Sequence, residues 1–136
     1  MPLNGLDSIL EENRGGVWFV AGHAEPRAVQ KLAKGAGFAF FHVEGKNIGR
    51  KEQLLNHVAT ALHFPGDFGH NWDALADVLE DRDWLGKRGR VVVLAHVAVY
   101  RKDHPTDCRM LEEILGEASE FWQERHVPFW VFVQGI

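Results

Sequence analysis

Phe38–Val43 reads FAFFHV, with a single polar residue interrupting an otherwise apolar run. A strand with one wet face alternates apolar with polar, so a nearly continuous apolar run implies burial on both faces. Arg90–His96 (RVVVLAH) and Phe129–Val133 (FWVFV) have the same character. Short buried strands separated by helices point to an α/β fold with a small parallel sheet and right-handed crossovers. These three strands are expected to be mutually parallel.

Outward from Phe38–Val43, the next segment is Lys51–Leu62 (KEQLLNHVATAL), a helix with Leu54, Leu55, Val58, Ala61 and Leu62 along one side. A longer helix is expected from Asp107, as its cap, to about Glu124, with Met110, Leu111, Ile114, Leu115, Ala118, Phe121 and Trp122 facing inward. Together these two helices are expected to cover the two faces of the sheet. Trp84–Gly89 reads as a connection and Tyr100–Thr106 as a polar loop. Upstream, Val17–Ala21 (VWFVA) suits a strand at a sheet edge, its direction open, and Pro26–Ala33 suits a helix ended by Gly35 and Gly37.

The chemistry concentrates in Phe64–Leu79, FPGDFGHNWDALADVL. Gly66 and Gly69 break the backbone around Asp67 and Phe68, Asn71 can cap a helix, and a helical pattern follows at once. Trp72, Leu75, Val78 and Leu79 form one stripe, while Asp73, Asp77 and then Glu80 or Asp81 fall on the opposite side. Carboxylates four residues apart repel, so helix stability alone does not select such a row. Phe64–Leu85 holds six acids and one base, a deficit larger than the net charge of -4 of the whole chain. An exposed acidic ridge behind a loop is suited to another protein's cationic cleft, where fixed carboxylates can take the place of RNA phosphates.

At Pro65, Phe68, Gly69, Asn71, Trp72, Asp73, Ala74, Leu75 and Asp77 the chain resembles the barstar family of intracellular ribonuclease inhibitors. A weaker likeness in the order of elements runs from about Phe38 to the C-terminus. The resemblance implies a three-stranded parallel sheet; the length fits a single domain over residues 1–136, with 1–37, outside the resemblance, read as an N-terminal strand-helix extension and 38–136 as the barstar-like part. It also implies a partner, a barnase-like ribonuclease of the extracellular type, blocked without cofactor or catalysis. By the same resemblance Asp77 enters the nuclease's phosphate-binding cluster, Asp73 is second, Asn71 and Gly69 present hydrogen bonds, and Phe68 shapes the edge. The expected ridge comprises Asp67, Asp73, Asp77 and Glu80. Family members commonly carry aromatics where this chain has Asp67 and Ala76, so its contact surface differs there. A further acidic contact is expected near the end of the last helix, with Glu120 the nearest candidate, and Trp72 is assigned to the core rather than to the contact. A protein-interaction module of the same fold without ribonuclease inhibition is the alternative reading.

Other classes fit less well. With 136 residues and 46% hydrophobic content the chain can bury a core, yet no window approaches a membrane span. The acidic start lacks the basic region of a secretory signal, so a cytoplasmic location is expected. Net negative charge argues against direct nucleic-acid binding. His57, His63 and His70 match no metal-ligand spacing, and His42 and His96, at apolar strands, are expected to be hydrogen-bonded structural residues, so no metal site is predicted. Cys108, the single cysteine, has no assignable helper for nucleophilic catalysis. The basic run Gly45–Lys51 lacks a phosphate-loop pattern and reads as a solvated turn. Asp73 and Asp77 could serve as a catalytic pair only inside a pocket that splits their pKa values, and the sequence supplies none. No catalytic residue is assigned.

Overall fold

The computed structural model describes residues 16–20, 26–64, 69, 71–85 and 88–134. Its elements are β1 (Gly16–Val20), α1 (Pro26–Gly35), β2 (Ala39–Glu44), α2 (Lys51–Ala61), α3 (Trp72–Leu79), α4 (Arg82–Leu85), β3 (Arg90–Ala95), α5 (Ala98–Asp103), α6 (Pro105–Gln123) and β4 (Phe129–Gln134). The sheet has four strands in the order β1-β4-β3-β2, all parallel, with Ala39 opposite Arg90 and Arg90 opposite Phe129. The three strands expected from their apolar runs are present and parallel. The fourth, β1, joins parallel to β4 and forms an edge.

The chain crosses from β1 over the sheet to β2 at the far edge, then returns step by step through β3 to β4. Under the right-handed crossover rule, reversing the direction of travel places the connecting helices on opposite faces. The core divides accordingly. One layer joins Phe41, Val43, Val92, Leu94, Phe129, Val131 and Val133 to Leu54, Leu55 and Val58 of α2, Leu75 and Leu79 of α3, and Leu111, Leu115, Ala118 and Trp122 of α6. The other joins Val91, Val93, Ala95, Trp130 and Phe132 to Val29 and Ala33 of α1. The expectation that Lys51–Leu62 and Asp107–Glu124 cover both faces is therefore corrected: both lie on one face, and α1 covers the second. Burial on both faces holds for β3 and β4 but not for β2, which as an edge strand leaves His42 exposed and Phe40 half-buried.

Three helices end in the same hydrogen-bond pattern, a six-residue bond enclosing a four-residue one, which needs a left-handed residue after the helix. Gly37 (φ 80°) serves α1, His63 (φ 57°) serves α2 and His126 (φ 62°) serves α6. Phe38, Phe64 and Val127 close the three outer bonds onto Ala33, Ala59 and Trp122. Two of the histidines thus terminate helices.

Two stretches read as irregular are helical. Trp84 lies in the short α4, where the Asp81 carboxylate accepts a bond from the Asp83 amide at 2.8 Å. Tyr100–Asp103 belongs to α5, and α6 starts at Pro105, whose fixed φ suits a first helical position. Asp107 is consequently inside the first turn rather than at the cap, and its carboxylate accepts from the Tyr100 hydroxyl at 3.3 Å. Of the residues expected to face inward on α6, Met110 is exposed and Phe121 half-buried.

Candidate protein-binding surface

The acidic segment is built as a capped helix on a buried base. Asn71 has an extended backbone, and its side-chain oxygen accepts from the Ala74 amide at 2.8 Å while its Nδ2 donates to the Gly69 carbonyl at 3.2 Å. One residue thereby satisfies a free N–H of the first turn and ties Gly69 to the helix start. Leu75 and Leu79 are fully buried beneath α3. Asp73 and Asp77 are exposed on its outer side, and Glu80, just past its end, is half-buried. Asp67 and Phe68 lie outside the described residues.

Two indoles hold the ends of this segment. Trp84 Nε1 donates to the Leu62 carbonyl at 2.9 Å, where the chain leaves α2, and Trp122 Nε1 donates to the Leu79 carbonyl at 2.6 Å, in the last turn of α3. Between the two rings lies the guanidinium of the fully buried Arg90, 5.0 Å from the Trp84 ring centre and 4.2 Å from that of Trp122. Burial pulls the Arg90 pKa down to about 10, so it stays a cation at neutral pH.

The acidic surface does not stop at α3. Between α3 and α6 runs a groove of about 460 Å³ lined by the apolar Trp72, Ala76, Met110 and Ile114 and by Asn71, Asp73, Glu113 and Glu117. Desolvation raises the carboxyl pKa of Glu80; Glu117 and Asp77 push it the same way, against Arg125. Like charges on two helices are thus held close enough to oppose one another's ionisation. Trp72, assigned to the core, packs against it half-buried and also lines the groove. Glu120 is exposed on α6 but does not line the groove, whereas Glu113 and Glu117 do. Their spacing of three and seven residues from Met110 is visible in the sequence, but their meeting with α3 depends on how the two helices pack.

The remaining titratable groups lie elsewhere. His96, left-handed at φ 55° after β3, places Nδ1 2.8 Å from Glu44 Oε2, and His42 places Nε2 3.4 Å from Glu44 Oε1. Desolvation and Glu112 push the Cys108 thiol up, against Arg101, which itself pairs with Glu112; a buried thiol of this kind is a poor source of thiolate. Among the described residues no group of three or more His, Cys, Asp or Glu side chains is placed to hold a metal ion. No helix among them is long and apolar enough to cross a membrane.

A protein-family model described as Barstar (barnase inhibitor) matches residues 38–134. The chain belongs to the barstar family. A comparison with curated proteins finds no relative that matches. The barstar match begins at the residue before β2 and ends with β4, so it takes in the acidic loop-helix, the groove and three of the four strands, while β1 and α1 precede it. The family is one of barnase inhibitors, and its kind of partner is a barnase-like ribonuclease.

Proposed function

We propose that this chain inhibits a barnase-like ribonuclease by placing the acidic face of α3 in the enzyme's basic active-site cleft. The observation that carries this reading is the exposure of Asp73 and Asp77 on a helix capped by Asn71 and seated on Leu75 and Leu79, in a chain of the family of barnase inhibitors. Carboxylates fixed on a rigid base meet arginines and lysines without first losing side-chain and backbone freedom, which favours the complex. Asp77 is the central contact and Asp73 the second, with Gly69, Asn71, Ala76 and Glu80 around them and Asp67 and Phe68 in the preceding loop. The groove adds Glu113 and Glu117 of α6 to this surface. Inhibition is by occupation alone: RNA is excluded, and no bond is made or broken. The inhibitor works in the cytoplasm, on nuclease that has not left it.

A second reading, an interaction module without ribonuclease inhibition, is favoured by one feature. Ala76 stands beside an open groove at a place where family members commonly carry an aromatic, so a different partner surface would fit there. Titrating the chain against barnase while following RNA hydrolysis separates the two. Full inhibition near equimolar ratio, weakened by Asp77→Ala and unchanged by Lys34→Ala on α1, supports the first reading. Absence of inhibition of barnase and of a nuclease encoded beside this chain would leave the second.

A further inference from the structure

The acidic helix is attached to the rest of the molecule by an unusual fastening. Most of α3 is held by apolar contact through Leu75 and Leu79, which resists separation but is non-directional. Direction comes from Trp122: its N–H reaches from α6 to the Leu79 carbonyl at 2.6 Å, one of the four carbonyls that the end of a helix leaves unsatisfied. Glu80 and Asp81 amides turn back onto Ala76 and Val78, so the Leu79 carbonyl is free to take the indole. The Trp122 ring is 2% exposed and carries the Arg90 guanidinium on its face at 4.2 Å. A cation on the π face draws density from the ring and makes its N–H a stronger donor.

We infer that Trp122, backed by Arg90, is a positioning residue of the binding surface: it fixes the rotation and the end of α3 and so the direction in which Asp77 and Glu80 point. The inference rests on the reading of α3 as the contact surface and adds the device that keeps it ready. Without this bond the buried leucines still hold α3 down, but the helix can roll and its last turn can fray. Asp77 and Glu80 then explore several directions, and a partner must order them on binding.

The test uses the full chain with Trp122→Phe, which keeps an aromatic ring near Arg90 and removes the N–H. A second variant replaces residue 122 by 3-benzothienylalanine, which keeps the bicyclic shape and exchanges N–H for sulfur. Residue-resolved amide exchange in the free protein is read first. Exchange of Ala76–Leu79 should quicken by roughly tenfold in both variants while β3 and β4 amides keep their protection. With barnase as the probe, dissociation should then quicken by about tenfold, with association unchanged because every charge remains in place. Unchanged protection of α3 in the benzothienyl variant, or an equal rise in all elements, overturns the inference. Failure of the wild-type chain to inhibit barnase counts against the proposed function instead, since the exchange measurement needs no partner.

Discussion

Glu44 at the end of β2 and His96 just beyond β3 form a side-chain bond of 2.8 Å that ties together the carboxyl ends of two neighbouring strands. Desolvation acts to raise the Glu44 pKa, but the Lys46 amide, the His96 bond and the charges of His96 and His42 together lower it below the usual carboxylate value. A carboxylate with a depressed folded pKa stabilises the fold above its unfolded pKa, and that contribution is lost as pH falls through the folded value. Glu44→Gln should therefore lower the thermal midpoint at about pH 7 and have progressively less effect as the pH is taken down through the folded pKa, below which the wild-type group is also neutral. Equal losses at both ends of that range would show that the side chain acts through packing.

Glu80 has the opposite sign. Its folded pKa is raised by burial, by Glu117 and by Asp77, so the ionised group costs stability, and that cost appears as pH rises from the unfolded value through the folded one. Glu80→Gln should raise the thermal midpoint near neutral pH and leave it unchanged well below about pH 4. The same substitution should weaken a complex with a basic nuclease, giving a variant that is more stable and less effective.

Asp77→Ala is expected to leave the fold nearly intact, because removing one of several mutually repelling carboxylates costs little. It should weaken binding to the nuclease by roughly 2–5 kcal/mol if the partner's cations are left buried without their counter-charge. The double variant Glu113→Gln with Glu117→Gln tests whether α6 shares the surface: affinity should fall, and association should become less sensitive to salt. The barnase and barstar pair is itself a standard instance of such steering, so this part of the expectation comes from family membership. Stopped-flow association at two salt concentrations reads it directly.

His126 closes α6 in the left-handed region at φ 62° and is exposed. A side chain in that conformation costs about 1 kcal/mol relative to glycine, which adopts it freely. His126→Gly should stabilise the protein by up to about that amount, less the entropy glycine adds to the unfolded chain. Chemical denaturation measures it: an unchanged or lower midpoint would mean that the histidine ring makes contacts that offset its strain.

The parts of the fold that announce themselves in the sequence are those fixed by local pattern. The apolar runs at β2, β3 and β4 predict parallel strands, and Asn71 before an apolar stripe predicts the cap that bonds Ala74. Phe64–Leu79 also points to the barstar family, whose model covers the expected stretch of the chain. Features decided by distant partners stay hidden. His63 and His126 terminate helices where pattern reading looks for glycine, and α5 and α6 are divided at His104, so that a polar stretch conceals a helix. Met110 falls among inward-facing residues by period, yet it is exposed and borders the groove between α3 and α6. The placement of α1 follows from strand order, which no local signal gives.

The family match starts at Phe38, but the hydrophobic layer beneath it does not. Val91, Val93, Trp130 and Phe132 belong to strands inside the match, and the helix that keeps water from them lies outside it. A clone trimmed to the matched boundary would thus not be a smaller version of the same protein. It would be a sheet with one oily side bare, prone to stick to its own kind and to precipitate before any nuclease could be offered to it. What sequence comparison leaves outside the family boundary thus includes the roof over one side of the sheet.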